Sequence, residues 1–135
     1  MKVYLAHNYA AKEWLNGVKE RLNQCGIEVT SRWLDQSQAI DPYHPEVQID
    51  EAQKDVQDVL RADALVLFTD QFGDRPGRGK YVELGMAIAA RKKVILCGKE
   101  QKNTVFYFLP SMIHCDSVED VLRHLADHMF WMQQP

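Results

Sequence analysis

The chain lacks any apolar run near the ~20 residues that a membrane span needs, and its N-terminus lacks the apolar core of a signal peptide. Neither a membrane role nor export is expected, and the expected compartment is the cytoplasm. Cysteine is scarce: Cys25, Cys97 and Cys115 stand far apart, without metal-type spacing, and read as reduced core thiols. No Lys/Arg-rich run occurs and the net charge is −3, which argues against a nucleic acid polymer as partner. The first apolar run leads into AHNYAAK rather than a G-x-G-x-x-G turn, and no P-loop is present, so nicotinamide chemistry is not expected. His124 and His128 are four apart, but no third ligand is in register. No metal and no cofactor are expected.

What is present is one domain's worth of alternating elements. The 135 residues are 46% hydrophobic and 26% charged, an ordinary globular balance, and read as a single domain over 1–135. Lys2–Ala6 predicts a buried strand, and Ala10–Cys25 a helix with Trp14, Leu15, Val18, Leu22 and Cys25 at helical spacing, stopped by Gly26. Ile27–Trp33 alternates like a strand, and Leu34–Pro45 reads as a loop. A helix from about Glu46 has Ile49, Ala52, Val56, Val59 and Leu60 as its expected packed stripe, with Asp55 at its edge and Asp58 turned away. The continuous apolar run Ala64–Phe68 predicts a central parallel strand. Lys93–Cys97 and Met112–Cys115 predict two more strands, and Ser117 opens a last helix with Val118, Val121, Leu122, Leu125, Ala126, Met129 and Phe130 as its stripe. This alternation predicts an α/β, Rossmann- or flavodoxin-like three-layer fold around a roughly five-stranded parallel sheet. A ligand is expected beyond the carboxyl ends of the strands, near Tyr4 to Asn8, Arg32, Trp33, Thr69, Asp70 and the Gly77–Glu83 loop.

The stretch from Gly77 to Ala90, GRGKYVELGMAIAA, concentrates the chemistry. Two glycines and two cations open a helix that is apolar on nearly every face, interrupted near its start by Glu83. Such a loop and helix start offer N–H groups and positive charge to an anion, with Gly77, Arg78, Gly79 and Lys80 as the candidates for a phosphate. The bland alternative is that a glutamate is ordinary in a first helical turn and glycines are ordinary in loops. Asp55 and Glu83 form a carboxylate pair of the kind that works at an anomeric carbon, one attacking C1′ while the other handles a proton or the sugar hydroxyls. His7 and Asn8, at the end of the first strand, are further candidates for substrate binding. Trp33 either stacks on a base or belongs to the core, and Lys12 is a further cation near the phosphate position.

These residues carry a family resemblance. VYLA with Tyr4, QKDVQDVLRAD with Asp55, the strand ALVLF and GKYVELGMAIA with Glu83 follow one another as they do in the nucleoside 2-deoxyribosyltransferase-like superfamily, which includes deoxynucleoside 5′-monophosphate N-glycosidases. The chain resembles that superfamily from residue 2 to about residue 97. The resemblance implies Glu83 as nucleophile on C1′, Asp55 as the group orienting the sugar and Glu83, Tyr4 beside them, a small nucleoside or nucleotide substrate, and a homodimer or larger. Val105–Leu109 and Met129, Phe130, Trp131 and Met132 are candidates for that subunit contact, or else core. Transferases of the superfamily place a base-protonating aspartate six residues before the nucleophile, where this chain has Gly77, and the nucleotide hydrolases carry a Ser-x-Arg-Gly-Gly-like loop where it has His7–Ala11. The expectation is hydrolysis of a nucleoside 5′-monophosphate, with base exchange or a non-catalytic nucleotide-sensing module as alternatives.

Overall fold

The apolar run ALVLF does form the centre of the molecule: all five residues of β3 (Ala64–Phe68) are buried, which a strand reaches only when neighbours flank both edges and helices cover both faces. The computed structural model describes residues 1–35, 44–73 and 77–132, with side chains through 129. β1 (Lys2–Ala6), β2 (Glu28–Val29), β4 (Lys93–Cys97) and β5 (Ile113–Cys115) join β3 in a parallel sheet of order β2-β1-β3-β4-β5. The register sets Tyr4 beside Leu65, and Leu65 beside Val94. Strand order reverses between β1 and β3, which marks the crevice at their carboxyl ends as the place for a ligand.

Helix α1 (Lys12–Gln24) and helix α4 (Val118–Met132) cover one face, joined by the Arg21–Glu119 ion pair at 3.1 Å. Helices α2 (Pro45–Arg61) and α3 (Gly79–Ala89) cover the other and pack on each other. Gly26 stops α1 as expected: at φ +78° it lets Ile27 N–H reach the Leu22 carbonyl at 3.0 Å. Ser117 Oγ caps α4 by accepting from Asp120 N–H at 3.3 Å.

The structure departs from the sequence reading in several places. The expected strand over Ile27–Trp33 shrinks to Glu28–Val29, because side chains take over the pairing: Leu5 N–H donates to Ser31 Oγ at 2.7 Å, and Arg32–Asp35 then winds into a 3₁₀ turn. Cys25 is exposed, whereas Cys97 and Cys115 are buried, so only two of the three thiols are core. Helix α3 is covered on one face only; Leu84 and Ala87 are buried but Val82 is 65% exposed. The expected loop over 100–110 contains a 3₁₀ turn, Val105–Phe108, with Tyr107 buried and Val105, Phe106 and Phe108 exposed. Asp41 and Pro42 lie outside the described residues, as do the side chains of Phe130, Trp131 and Met132.

The largest departure is α2, which is rotated relative to its expected stripe. Ile49, Val56 and Leu60 face outward, and Asp58, expected to point away, is 0% exposed. Its carboxylate accepts from Arg32 N–H at 2.9 Å and from Arg32 Nε at 2.9 Å, while Arg61 stands 3.5 Å off. Those donors replace the water that Asp58 loses on burial. Asp58→Ala, which strands the Arg32 amide, is expected to lower stability by about 2–4 kcal/mol, read as a shift of the urea midpoint.

Candidate active site

Three elements bring the acidic groups together on the α2/α3 face of the sheet. Tyr4 is fully buried in β1, and its hydroxyl donates to Glu83 Oε2 on the second turn of α3. Asp55 comes from the inward face of α2, where Oδ1 is buried without a hydrogen-bond partner among the described residues. A buried carboxylate oxygen with no donor is costly in isolation and suits a site whose missing donor, such as a hydroxyl, arrives with a ligand.

The electrostatics follow from burial. Loss of water pushes the Glu83 carboxyl up to about 8; the Tyr4 hydrogen bond opposes this by favouring the carboxylate, and the neighbouring Asp55 adds to the rise. Asp55 is pushed up to about 6 by burial and by the nearby charges of Glu51 and Asp58, against the pull of Arg32. The Tyr4 phenol is raised far beyond its usual range, so it stays a donor. Two carboxyl groups whose proton affinities are pushed apart are suited to different roles in one reaction.

Lys80 sits at the crevice between the lips of β1 and β3. Only 3% exposed, its ammonium donates to Asn8 Oδ1 at 3.0 Å and to the Phe68 carbonyl at 3.2 Å, and no carboxylate pairs with it among the described residues. Lys80, a candidate phosphate ligand in the sequence, lies buried beneath the loop, where its charge reaches the crevice through its field. Burial lowers its proton affinity. Arg78 and Gly79 remain exposed at the start of α3. Gly77 presses against Asn8, so that a Cβ there would stand 2.7 Å from Asn8 Oδ1. Lys12 lies over the Tyr9 ring, its Nζ 5.9 Å from the centroid.

Two sequence candidates go elsewhere. Trp33 is buried with its indole N–H on the Leu5 carbonyl at 3.0 Å, which makes it core, with a tilted contact to Tyr9. His7 is turned to the opposite face from Tyr4, stacked on Phe68 and edged by Trp14 of α1. Sequence reading missed Asp58 and the buried state of Lys80. Arg61, three residues after Asp58 in a helix, was a usable signal for the first. His124 and His128 do not join a metal cluster: no group of three or more metal-type side chains occurs among the described residues.

A doubly wound α/β domain with a buried Tyr–Glu pair and a second carboxylate at its switch point is therefore defined. A sequence model described as nucleoside 2-deoxyribosyltransferase matches residues 3–125, and the chain belongs to that family, which acts on small nucleoside substrates. Among solved structures it is similar to a 2-deoxyribosyltransferase from Bacillus psychrosaccharolyticus, at 22% identity over 90% of each chain and a TM-score of 0.67. It is also similar to the CMP N-glycosidase BcmB of Clostridium botulinum, at 17% identity over 93% of this chain and 98% of that one, with a TM-score of 0.60. A conserved protein from Enterococcus faecalis V583 aligns at 18% identity over 95% and 98%, with a TM-score of 0.66. At these identities the likeness establishes the fold. A comparison with curated proteins gives no match.

The raised Glu83 has a consequence for stability. Its native-state proton affinity exceeds the ordinary value of 4.5, so the folded chain holds the extra proton between about pH 4.5 and 8. Stability contributed in this way is present below that window and lost as pH rises through it. Glu83→Gln is expected to flatten the decline, and Tyr4→Phe to extend it to higher pH, both read from melting temperatures between pH 5 and 9.

Proposed function

We propose that the protein, as one domain over 1–135, hydrolyses the N-glycosidic bond of a nucleoside 5′-monophosphate, with 2′-deoxyribose as the expected sugar. The observation that carries this reading is the Tyr4–Glu83 pair with, nearby, an Asp55 oxygen that has no partner among the described residues. Glu83, as carboxylate, attacks C1′; the C1′–N bond breaks, its electron pair goes to the base, and the base takes a proton from solvent as it leaves. Water then attacks C1′ of the glycosyl–Glu83 ester and loses a proton to solvent or to Asp55, freeing the carboxylate and the sugar phosphate. Asp55 Oδ1 accepts a sugar hydroxyl and keeps both the ring and Glu83 aligned. Arg78 and the amides of Gly77 and Gly79 receive the 5′-phosphate, with the buried Lys80 charge below them. His7 and Asn8 were the remaining candidates for binding; of these, Asn8 serves by fixing Lys80 and Gly77.

Gly77 favours hydrolysis over base exchange. No acidic side chain stands at that position, and Asn8 occupies the space one would need. Exchange would require an acceptor base in place of water at the second step, and a sensing module would bind without either step.

A homodimer completes the reading. The apolar stripe of α2 and Val82 of α3 lie on the outside, and Val105, Phe106 and Phe108 protrude at the 3₁₀ turn. Apolar area of this kind is ordinarily covered by a partner, and a second copy is the one proposed. The three free thiols fit a cytoplasmic protein. No helix among the described residues is long and apolar enough to cross a membrane.

The test is base release, followed by chromatography, from ribo- and deoxyribonucleosides and their 5′-monophosphates with and without an acceptor base. Release from monophosphates without acceptor is expected, and acceptor-dependent exchange would favour the transferase. Binding without release would leave the sensing module. Glu83→Ala is expected to lower turnover by at least ~10³-fold, in the range seen when a covalent nucleophile is removed; turnover that survives it would overturn the assigned role. Val82→Glu is expected to convert a dimer to a monomer in sedimentation velocity.

A further inference from the structure

His7, a candidate for substrate binding, lines a pocket of about 250 Å³ on the α1/α4 side of the sheet, at the carboxyl ends of β3 and β4.

 A separate groove of about 450 Å³ runs between Tyr81, Ile88 and Phe106, on the side assigned above to a second copy. The 250 Å³ pocket is bounded by Trp14, Phe68 and Phe72, with Asp70 and Asp116 at its edge. It is just below the range of about 300–1,000 Å³ usual for drug-sized ligands, which suits a single flat ring system.

The lining specifies more than size. His7 stacks on Phe68 with centroids 5.3 Å apart, while Trp14 and Phe72 meet the imidazole edge-on and remain 45% and 42% exposed. His7 Nδ1 accepts the Asn8 N–H at 2.8 Å, so the neutral ring carries its proton on Nε2 and is a donor there. Burial and the nearby Lys80 ammonium push His7 down to about 4, which keeps it neutral at pH 7. Asp70 Oδ1 accepts from Lys99 and Glu100 N–H at 3.0 and 2.9 Å; its Oδ2 and both oxygens of Asp116 have no hydrogen-bond partner among the described residues. The carboxylates disfavour an anion, and Lys80 behind His7 disfavours a full positive charge. One donor, two acceptor groups and aromatic walls together match a neutral heterocycle with an acceptor atom and an N–H₂ group.

We propose that this pocket is a second, non-catalytic binding site for a planar, uncharged heterocycle bearing an exocyclic amine, the class of cytosine and adenine as free bases. The ring lies against Trp14 and Phe72, a ring acceptor takes the His7 Nε2–H, and the amine donates to Asp116 and Asp70. The site rests on its own lining and requires no turnover at Glu83.

The test is a titration of the full chain with cytosine, adenine, uracil and tetramethylammonium chloride, monitored by the NMR signals of the Trp14 indole N–H and the His7 ring. A Trp14→Phe variant assigns the indole signal. Cytosine and adenine are expected to move both signals saturably, uracil to bind at least tenfold more weakly, and Asp116→Ala to weaken cytosine at least tenfold. Equal affinity for uracil and cytosine, a response to tetramethylammonium in place of cytosine, or signals that no base moves would each overturn the proposal. A base held only beside Glu83 would leave Trp14 and His7 unmoved and count against it. Because no cleavage is read, failure of the hydrolase reading leaves this outcome interpretable.

Discussion

The hydrogen bond from Tyr4 to Glu83 is the contact on which the rest of the site depends. It joins a fully buried tyrosine of β1 to the second turn of α3, so the phenol cannot move without disturbing the sheet. Burial makes the carboxylate of Glu83 unfavourable, and the phenol restores part of what water supplied. The result is a carboxyl group whose proton affinity is raised, but by less than burial alone would impose. A fully solvated glutamate would be ionised, whereas one buried without a donor would hold its proton more tightly still. The structure lies between those limits.

Helix α2 shows what that arrangement requires of its surroundings. Its inward face carries Asp55 and Asp58, while Ile49, Val56 and Leu60 point out, the reverse of a helix whose packing serves a single chain. Asp58 is stabilised by Arg32 and so fixes the chain after β2. Asp55, one turn earlier, keeps an oxygen with no donor among the described residues. The two acids share a helix face but differ in their partners, and this difference separates a structural carboxylate from one open to a ligand.

Much of this was legible in the sequence. Apolar runs located β1, β3 and β4, because buried parallel strands need them, and Glu83 and Asp55 stood out as charges within apolar patterns. The α2 rotation was not legible, since periodicity identifies an apolar stripe without saying whether the stripe meets the chain's own sheet or another surface. Ser31 and Trp33 were read as strand because alternation cannot reveal a hydroxyl that substitutes for backbone pairing with Leu5. The position of His7 could have been inferred: three residues after Tyr4 along an extended chain, it belongs on the opposite face.

The division between the two faces centres on Asn8 and Lys80. Asn8 follows His7 directly, touches Gly77, and accepts from a lysine that also holds the end of β3. A cation buried there, with no carboxylate partner among the described residues, raises the potential on both sides of the sheet: toward the start of α3 it favours an anion, and toward His7 it suppresses protonation. In the proposed reading, one buried charge therefore biases both candidate sites, favouring a phosphate on the Glu83 side and a neutral ligand on the other. A neutral side chain at position 80 would relax both preferences together, since neither site contains another buried cation among the described residues.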